Sequence, residues 1–321
     1  MNNIDSLIQA IEKSNKILVV SHVNPDGDTL SCNLAMIKVL EEHFGKKATP
    51  VYAGKLPEVY SFLPGYKEFV KSDTLDQNEI YDLVIAIDVA AKDRMIEATQ
   101  VFDKAKINVN IDHHKTNTNY GQLNFVDGEA CAAGQVLFEI LSEMKVKISK
   151  DVATLLYTAI LTDTGCFKYE HTTVKTFLTA AKLVEQGASP SEIARACYDS
   201  KPQNMVQFQV AAMSKAVFEE DGKIAYSIIT RDDMKRFNAS DDHTDGISEA
   251  LRQIKTVEVS MLLKETENLQ TKVSLRSKSV DVSKIAQIFN GGGHSLAAGC
   301  TIKKPPQVAV NKILDYVRKE L

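Results

Sequence analysis

The residues able to do chemistry are gathered in four short stretches. "SHVNPDGD" (21–28), "IAIDVA" (85–90), "INVNIDHHKT" (107–116) and "AILTDTG" (159–165) place acids, with imidazoles in two of them, just past an apolar run or within a helical pattern. Four or more carboxylates drawn together would repel one another unless a cation compensates them. A mixed carboxylate and imidazole set without thiolates suits a borderline divalent ion such as Mn²⁺; Mg²⁺ is less suited to histidine and Zn²⁺ to so many oxygens. His22, Asp26, Asp28, Asp88, His113 and Asp163 make six candidate ligands, too many for one catalytic ion. Two ions sharing a bridging carboxylate use them all. Such pairs, about 3.5–4 Å apart, serve phosphoester hydrolysis because they activate water at neutral pH and neutralise phosphoryl charge.

These residues are far apart in the chain, so the fold must bring them together. From residue 17 short β-rich runs alternate with helical patterns: "ILVVSH" (17–22), a helix over 33–43, "ATPVYAG" (48–54), "LVIAIDVA" (83–90) and "INVNID" (107–112). Runs apolar on both faces, alternating with helices, predict a doubly wound, mainly parallel sheet. In such a sheet the C-terminal ends of the strands share one edge, where ligands bind at the switch in strand order. His22, Asp88 and the Asp112–His113–His114 triplet then arrive at one edge from different strands. Pro25 and Gly27 predict a tight, irregular loop that turns Asp26 and Asp28 inward with His22.

Helices are expected over "CAAGQVLFEILSEM" (131–144) and "DVATLLYTAILTDTG" (151–165), then over a stretch ending at Gly187, then from Pro190 with Ser189 as N-cap. Beyond that the pattern changes: "KIAYSIIT" (223–230) reads as a strand, and residues 257–278 as two strands joined by a polar turn at 265–270, where "ETEN" is a solvated charged run. The expected organisation is an α/β domain over 1–187, a helical linker over 188–220 and a smaller mixed-sheet α/β domain over 221–321.

Composition narrows the classes. Of 321 residues 44% are hydrophobic and 25% charged, as in an ordinary globular protein, and the length favours two domains. A net charge of −4 argues against binding long duplex nucleic acid but allows a short phosphate ligand in a local basic pocket. Five scattered cysteines without a CxxC suggest neither a disulfide framework nor a thiolate zinc site. With no export signal and no apolar run near the roughly 18 residues that span a bilayer, a cytoplasmic protein without a membrane partner is expected.

"VNPDGD", "AIDVA", "IDHHKTN" and "LTDTGCF" resemble, in order and spacing, the four motifs of the DHH phosphoesterase superfamily, and "GGGHSLAAG" (291–299) resembles the signature of the DHH-associated C-terminal domain. A chain of this length is similar to the nanoRNase and pAp-phosphatase branch. The resemblance implies hydrolysis of short oligoribonucleotides or dinucleotides and removal of the 3′-phosphate from pAp. It implies one Mn²⁺ on His22, Asp26 and Asp88 and a second on Asp28, Asp88, His113 and Asp163, with Mg²⁺ or Co²⁺ as alternative ions. His114 would contact the scissile phosphate and protonate the leaving oxygen, and Asp112 would orient a neighbouring imidazole. A homodimer is compatible with the resemblance. The chain departs from the family after Asp28, where "TLSCN" replaces a glycine-serine pair.

In the second domain, "VSLRSK" and "GGGH" resemble nucleotide-holding elements. Arg276, with Ser277 beside it, can fork onto a phosphate, and the N–H groups of Gly291, Gly292 and Gly293 before a helix at 295–298 would form an anion nest. Taken alone, three glycines more often end a helix. His294 is expected to stack on or hydrogen-bond the terminal nucleotide, and Arg94 and Asn117 to face substrate. The substrate would lie between the domains, with the second one gripping its far end. Phe167 and Tyr169 are expected in the core, unless one packs against a base, and Cys32 is expected to be a small buried residue. Hydrolysis of cyclic di-AMP or pApA, a pyrophosphatase and a non-catalytic nucleotide sensor are the alternatives.

Overall fold

The structure is a computed structural model that describes residues 4–266 and 268–321, the side chain of His294 apart. Two compact units divide the chain after Ser200.

The first unit runs α1 (Ile4–Lys13), β1 (Ile17–Val23), α2 (Gly27–Phe44), β2 (Ala48–Ala53), β3 (Val70–Lys71), β4 (Leu83–Ile87), α3 (Ala98–Lys104), β5 (Ile107–Asp112), β6 (Leu123–Val126), α4 (Ala133–Glu143), α5 (Lys150–Asp163), α6 (Val174–Glu185) and α7 (Pro190–Tyr198). Its strands form one sheet in the order β3-β2-β1-β4-β5-β6, every pair parallel. The period of two along each strand shows why helices cover both faces. Ile17 and Val19 of β1, with Leu83, Ile85 and Ile87 of β4, point to the core under α1, α2, α4 and α5. Leu18, Val20, Val84 and Ala86 point the other way, onto Val101 and Phe102 of α3.

Helix α2 begins at Gly27, six residues before the expected start, and the irregular loop predicted within "HVNPDGD" shrinks to residues 24–26, between the end of β1 at Val23 and the helix. The reason is local: the Asp26 carboxylate accepts from the N–H groups of Asp28 (3.0 Å) and Thr29 (3.2 Å), a helix N-cap. At the other end Gly45 takes the left-handed conformation that closes the helix. Gly27 lies against α5, where a Cβ would come within 2.5 Å of Thr162 Oγ1. The absent side chain lets the start of α2 meet the end of α5.

The second unit, from Lys201, runs α8 (Gln203–Ser214), β7 (Val217–Glu219), β8 (Ile224–Ile229), α9 (Arg231–Arg236), α10 (Ile247–Arg252), β9 (Val259–Glu265), β10 (Thr271–Ser277), α11 (Val282–Ile288), β11 (Gly292–His294), β12 (Ala297–Ile302) and α12 (Pro306–Glu320). Its sheet has the order β11-β12-β10-β9-β8-β7 and is antiparallel except between β8 and β9. The stretch 188–220 is divided between the units, α7 packing in the first and α8 in the second. The helix expected at 295–298 is absent: β11 and β12 form a hairpin there, with Gly292 opposite Gly299.

Candidate metal centre

Strand order creates the site. The chain leaves β1 for β2 on one side and later takes up β4 on the other, so the C-terminal ends of β1 and β4 flank the switch point, with β5 beside them. β1 carries His22, Asp88 follows β4, and β5 ends in Asp112 with His113 and His114 after it. The first turn of α2 adds Asp28, and α5 ends on Asp163. Asp88 has a φ of 61°, a left-handed conformation that most residues avoid, and its N–H donates to Ile111 O at 2.9 Å.

The side chains converge. His22 Nε2 lies 3.5 Å from Asp88 Oδ2 and 3.9 Å from Asp26 Oδ1. His113 Nε2 lies 3.5 Å from both Asp88 Oδ1 and Asp163 Oδ2, and 3.9 Å from Asp28 Oδ2. Among the described residues, three groups have the geometry to hold a metal ion: His22–Asp26–Asp88, Asp28–His113–Asp163 and Asp88–His113–His114. Asp88 thus turns one oxygen to each histidine. Its Oδ1 is buried and accepts no hydrogen bond, an acceptor left for which a cation is the natural partner. The donor set of carboxylate oxygens and imidazole nitrogens fits divalent ions.

Without an ion, protons serve as the compensating charge. Burial opposes a charged His22, yet Asp88 and Asp26 outweigh it and lift its pKa to about 9. Burial is likewise outweighed at His113, which Asp88, Asp28 and Asp163 raise to about 11. Burial and the neighbouring carboxylates push Asp163 up to about 7 and Asp28 well above the usual range. Asp88 is held below it, its burial overcome by His113 and His22. A metal ion would displace those protons.

Asp28 has a second duty. Its Oδ2 accepts from Ala133 N (2.7 Å) and its Oδ1 from Gly134 N (3.0 Å), so it caps α4, whose own N-cap residue Ala132 offers no side-chain acceptor. Cys32, fully buried, donates its thiol to the same carboxylate at 3.2 Å, and burial next to Asp28 keeps that thiol protonated.

Behind the cluster, Asp112 is fully buried and accepts from His114 Nδ1 at 2.8 Å, which fixes the tautomer and presents Nε2 as the ring's other edge. Asn117, expected to face substrate, instead donates to Asp112 Oδ2 and to Asn110 Oδ1 (2.8 Å), while its own oxygen accepts from Asn119 N (2.7 Å). It braces Asp112 from behind. Arg94 is exposed, with Nη2 3.5 Å from His22 Nδ1.

The N-terminal domain of the DHH family matches residues 16–160, and the DHHA1 domain matches residues 221–321. The bifunctional oligoribonuclease and PAP phosphatase NrnA of Bacillus subtilis is 30% identical over 301 residues, covering 92% of each chain. This chain belongs to the DHH family. The probable bifunctional oligoribonuclease and PAP phosphatase NrnA of Streptococcus mutans is 29% identical over 299 residues, 93% of each chain. A crystal structure of an exopolyphosphatase-related protein from Bacteroides fragilis matches with a TM-score of 0.91 at 25% identity, covering 98% of this chain and 94% of that one. The chain is a phosphoesterase of this family, and its acidic and histidine clusters could bind metal.

In the DHHA1 domain the expected contacts look different. Ser277 is fully buried, and its Oγ accepts from Ser279 N (3.1 Å) and Val280 N (2.7 Å), so it shapes a turn and does not face substrate. Arg276 is partly exposed, with Nε donating to Glu249 (2.6 Å) and Nη1 to Leu275 O (2.8 Å), which fixes the guanidinium plane. Gly291 N–H donates to Ala286 O, closing α11. A Cβ on Gly291 or Gly293 would strike the backbone of β12, whereas Gly292 borders open space. The glycines therefore serve the hairpin, and the nest before a helix does not form. The side chain of His294 lies outside the described residues. Sequence reasoning overlooked His171: its Nε2 is 3.3 Å from Asp163 O, a placement signalled only by its position eight residues after that acid.

Proposed function

We propose that this DHH-family phosphoesterase hydrolyses short oligoribonucleotides and removes the 3′-phosphate of pAp in the cytoplasm, using two Mn²⁺ ions. The observation that carries the reading is Asp88, whose two buried oxygens face His22 and His113 separately, as a ligand shared by two ions requires. The named activities of the full-length relatives from Bacillus subtilis and Streptococcus mutans support the substrate class, and five unpaired thiols suit a reducing compartment.

His22, Asp26 and Asp88 would hold one ion, and Asp28, Asp88, His113 and Asp163 the other. Bound there, the ions would supply Lewis-acid activation of water and charge neutralisation on the phosphoryl oxygens. Burial opposes a charged His114, but Asp112 and Asp88 outweigh it and raise its pKa, and the imidazolium, held at Nδ1 by Asp112, presents Nε2–H to the phosphate and gives that proton to the leaving oxygen. Arg94, exposed beside His22, offers its guanidinium to a neighbouring phosphate. In the DHHA1 domain Arg276, already oriented by Glu249, contacts a substrate phosphate, and the bare backbone at Gly292 allows close approach.

The test is a Mn²⁺-supplemented turnover panel of a 5′-labelled RNA dimer, 5-mer and 24-mer beside pAp, pApA, cyclic di-AMP and pyrophosphate. Fast cleavage of dimer and 5-mer with pAp dephosphorylation supports the reading. Preference for pApA over the RNA dimer and 5-mer, or for cyclic di-AMP or pyrophosphate, replaces it, and complete inactivity favours the nucleotide sensor.

A further inference from the structure

The segment after α5 carries two exposed rings at the rim of the acidic cluster. Thr164 ties it down: its carbonyl accepts from Lys168 N (3.0 Å) and Tyr169 N (3.1 Å), and its hydroxyl from Phe167 N (3.0 Å). Gly165, at a φ of +55°, lets the Tyr169 ring settle against the backbone, because a Cβ there would lie 2.5 Å from Tyr169 Cζ. Phe167 stacks on Phe177 at 5.4 Å and joins the core, but Tyr169 remains 45% exposed. The His171 ring is tilted 5.9 Å from it and is also exposed. His171 Nε2 lies 3.3 Å from Asp163 O and 3.9 Å from Asp163 Oδ2, so the pair sits directly beside a candidate metal ligand.

We infer that Tyr169 and His171 form a stacking platform for a nucleobase of the substrate, which selects nucleoside-bearing phosphoesters over bare pyrophosphate. The inference deepens the oligoribonuclease reading and rests on it. A rigid, solvent-facing aromatic is suited to this role because base stacking is sequence-tolerant and a ring already fixed loses little freedom on binding. The neighbouring Asp163 places a stacked nucleoside within reach of its own phosphate.

The experiment compares Tyr169→Ala, Tyr169→Phe and His171→Ala in the full chain, on pApA and on the same dinucleotide made abasic at either position. Tyr169→Ala is expected to raise KM for pApA about tenfold with kcat within about twofold, as loss of one stacking contact implies. Tyr169→Phe should restore wild-type KM. On the abasic dinucleotide that lacks the stacked base, Tyr169→Ala should add no further loss. Equal loss on intact and both abasic substrates, or a fall in kcat alone, overturns the platform and makes the pair mere support for Asp163. A second readout needs no turnover: a 2-aminopurine dinucleotide with a methylphosphonate linkage and Mg²⁺. Its fluorescence should be quenched on binding wild type and much less on binding Tyr169→Ala, and equal quenching overturns the inference. Wild-type turnover confined to pyrophosphate would sink the oligoribonuclease reading before any variant is made, whereas a platform failure leaves wild-type dinucleotide cleavage intact.

Discussion

The acidic corner of the first unit and the glycine-arginine corner of the second both present polar residues at the ends of strands, but they settle their charges differently. Around Asp88, carboxylates and imidazoles crowd together, one buried oxygen has no hydrogen bond, the backbone takes a left-handed turn, and protons are held far from their usual pKa values. Around Arg276, the polar groups are answered from within: Glu249 holds the guanidinium, Ser277 closes its own turn, and the glycines complete a hairpin. A group whose needs its own fold cannot meet is poised for a ligand; one that is already satisfied can only add to binding. Under the proposed function the first corner is where bond cleavage belongs, and the second contributes affinity.

The sharpest way to break this contrast is a pair of variants. Asp88→Ala removes the shared carboxylate and should lower kcat by about a thousandfold or more, the several kcal/mol that metal stabilisation of a transition state supplies. Arg276→Ala should raise KM for a dinucleotide about tenfold and leave kcat within about threefold, as expected for a phosphate contact outside the reacting centre. If the two variants show the same kinetic defect, the assignment of chemistry to one corner is wrong.

Metal and pH sharpen the comparison next. Asp163, His22 and His113 all bind protons more tightly in the metal-free fold than their ordinary values. Such groups favour the fold while protonated and cease to as pH rises through their folded values, so with chelator present Tm should fall between about pH 6 and 9. Mn²⁺ competes with those same protons, and the Tm increase it produces should grow over that range. At a hundred times its dissociation constant an ion contributes about 2.7 kcal/mol, or about 5–10 °C in a unit of this size. A metal-free Tm that rises from pH 6 to 9 would contradict the proton-for-metal exchange. Asp28 and Asp163 then separate two duties that look identical in sequence. Asp28→Ala strips α4 of its cap and should cost about 1–3 kcal/mol even in chelator, because two buried N–H groups lose their acceptor. Asp163 caps nothing, so Asp163→Ala should leave the chelator-treated Tm unchanged or raise it. Thermal unfolding of both variants in chelator decides between them.

How much could be read from the sequence follows the same division. The strands of the first unit were legible because "LVIAI" and its fellows are apolar on both faces, a pattern that only a doubly covered sheet uses. Convergence of His22, Asp88 and His113 then followed from topology alone. The start of α2 was not legible, because the polar run "PDGD" reads as a loop until Asp26 is seen to cap it. Residue type also conceals direction. Asn117 and Ser277 carry the right groups for a substrate, yet both turn inward to hydrogen bonds that no spacing announces. The "GGG" stretch failed as a nest because the following strand pairs back on it, Gly299 opposite Gly292. Asp28 was found as a candidate ligand but not as a cap, since α4 lies more than a hundred residues away in the chain.

Ser277 offers the smallest and most exacting test of the contrast. Its hydroxyl accepts two backbone N–H groups within a fully buried turn. Ser277→Ala should therefore cost about 1–2 kcal/mol of stability, the price of leaving buried donors without an acceptor. KM and kcat on a dinucleotide should stay within about twofold of wild type, since the group proposed to contact phosphate is the adjacent guanidinium and Glu249 still holds its plane. Steady-state kinetics beside a denaturation curve separate the outcomes. A lower Tm with unchanged KM keeps Ser277 in the fold. An unchanged Tm with a KM raised as far as in Arg276→Ala would return it to the substrate, and the second corner would then be less settled than its hydrogen bonds imply.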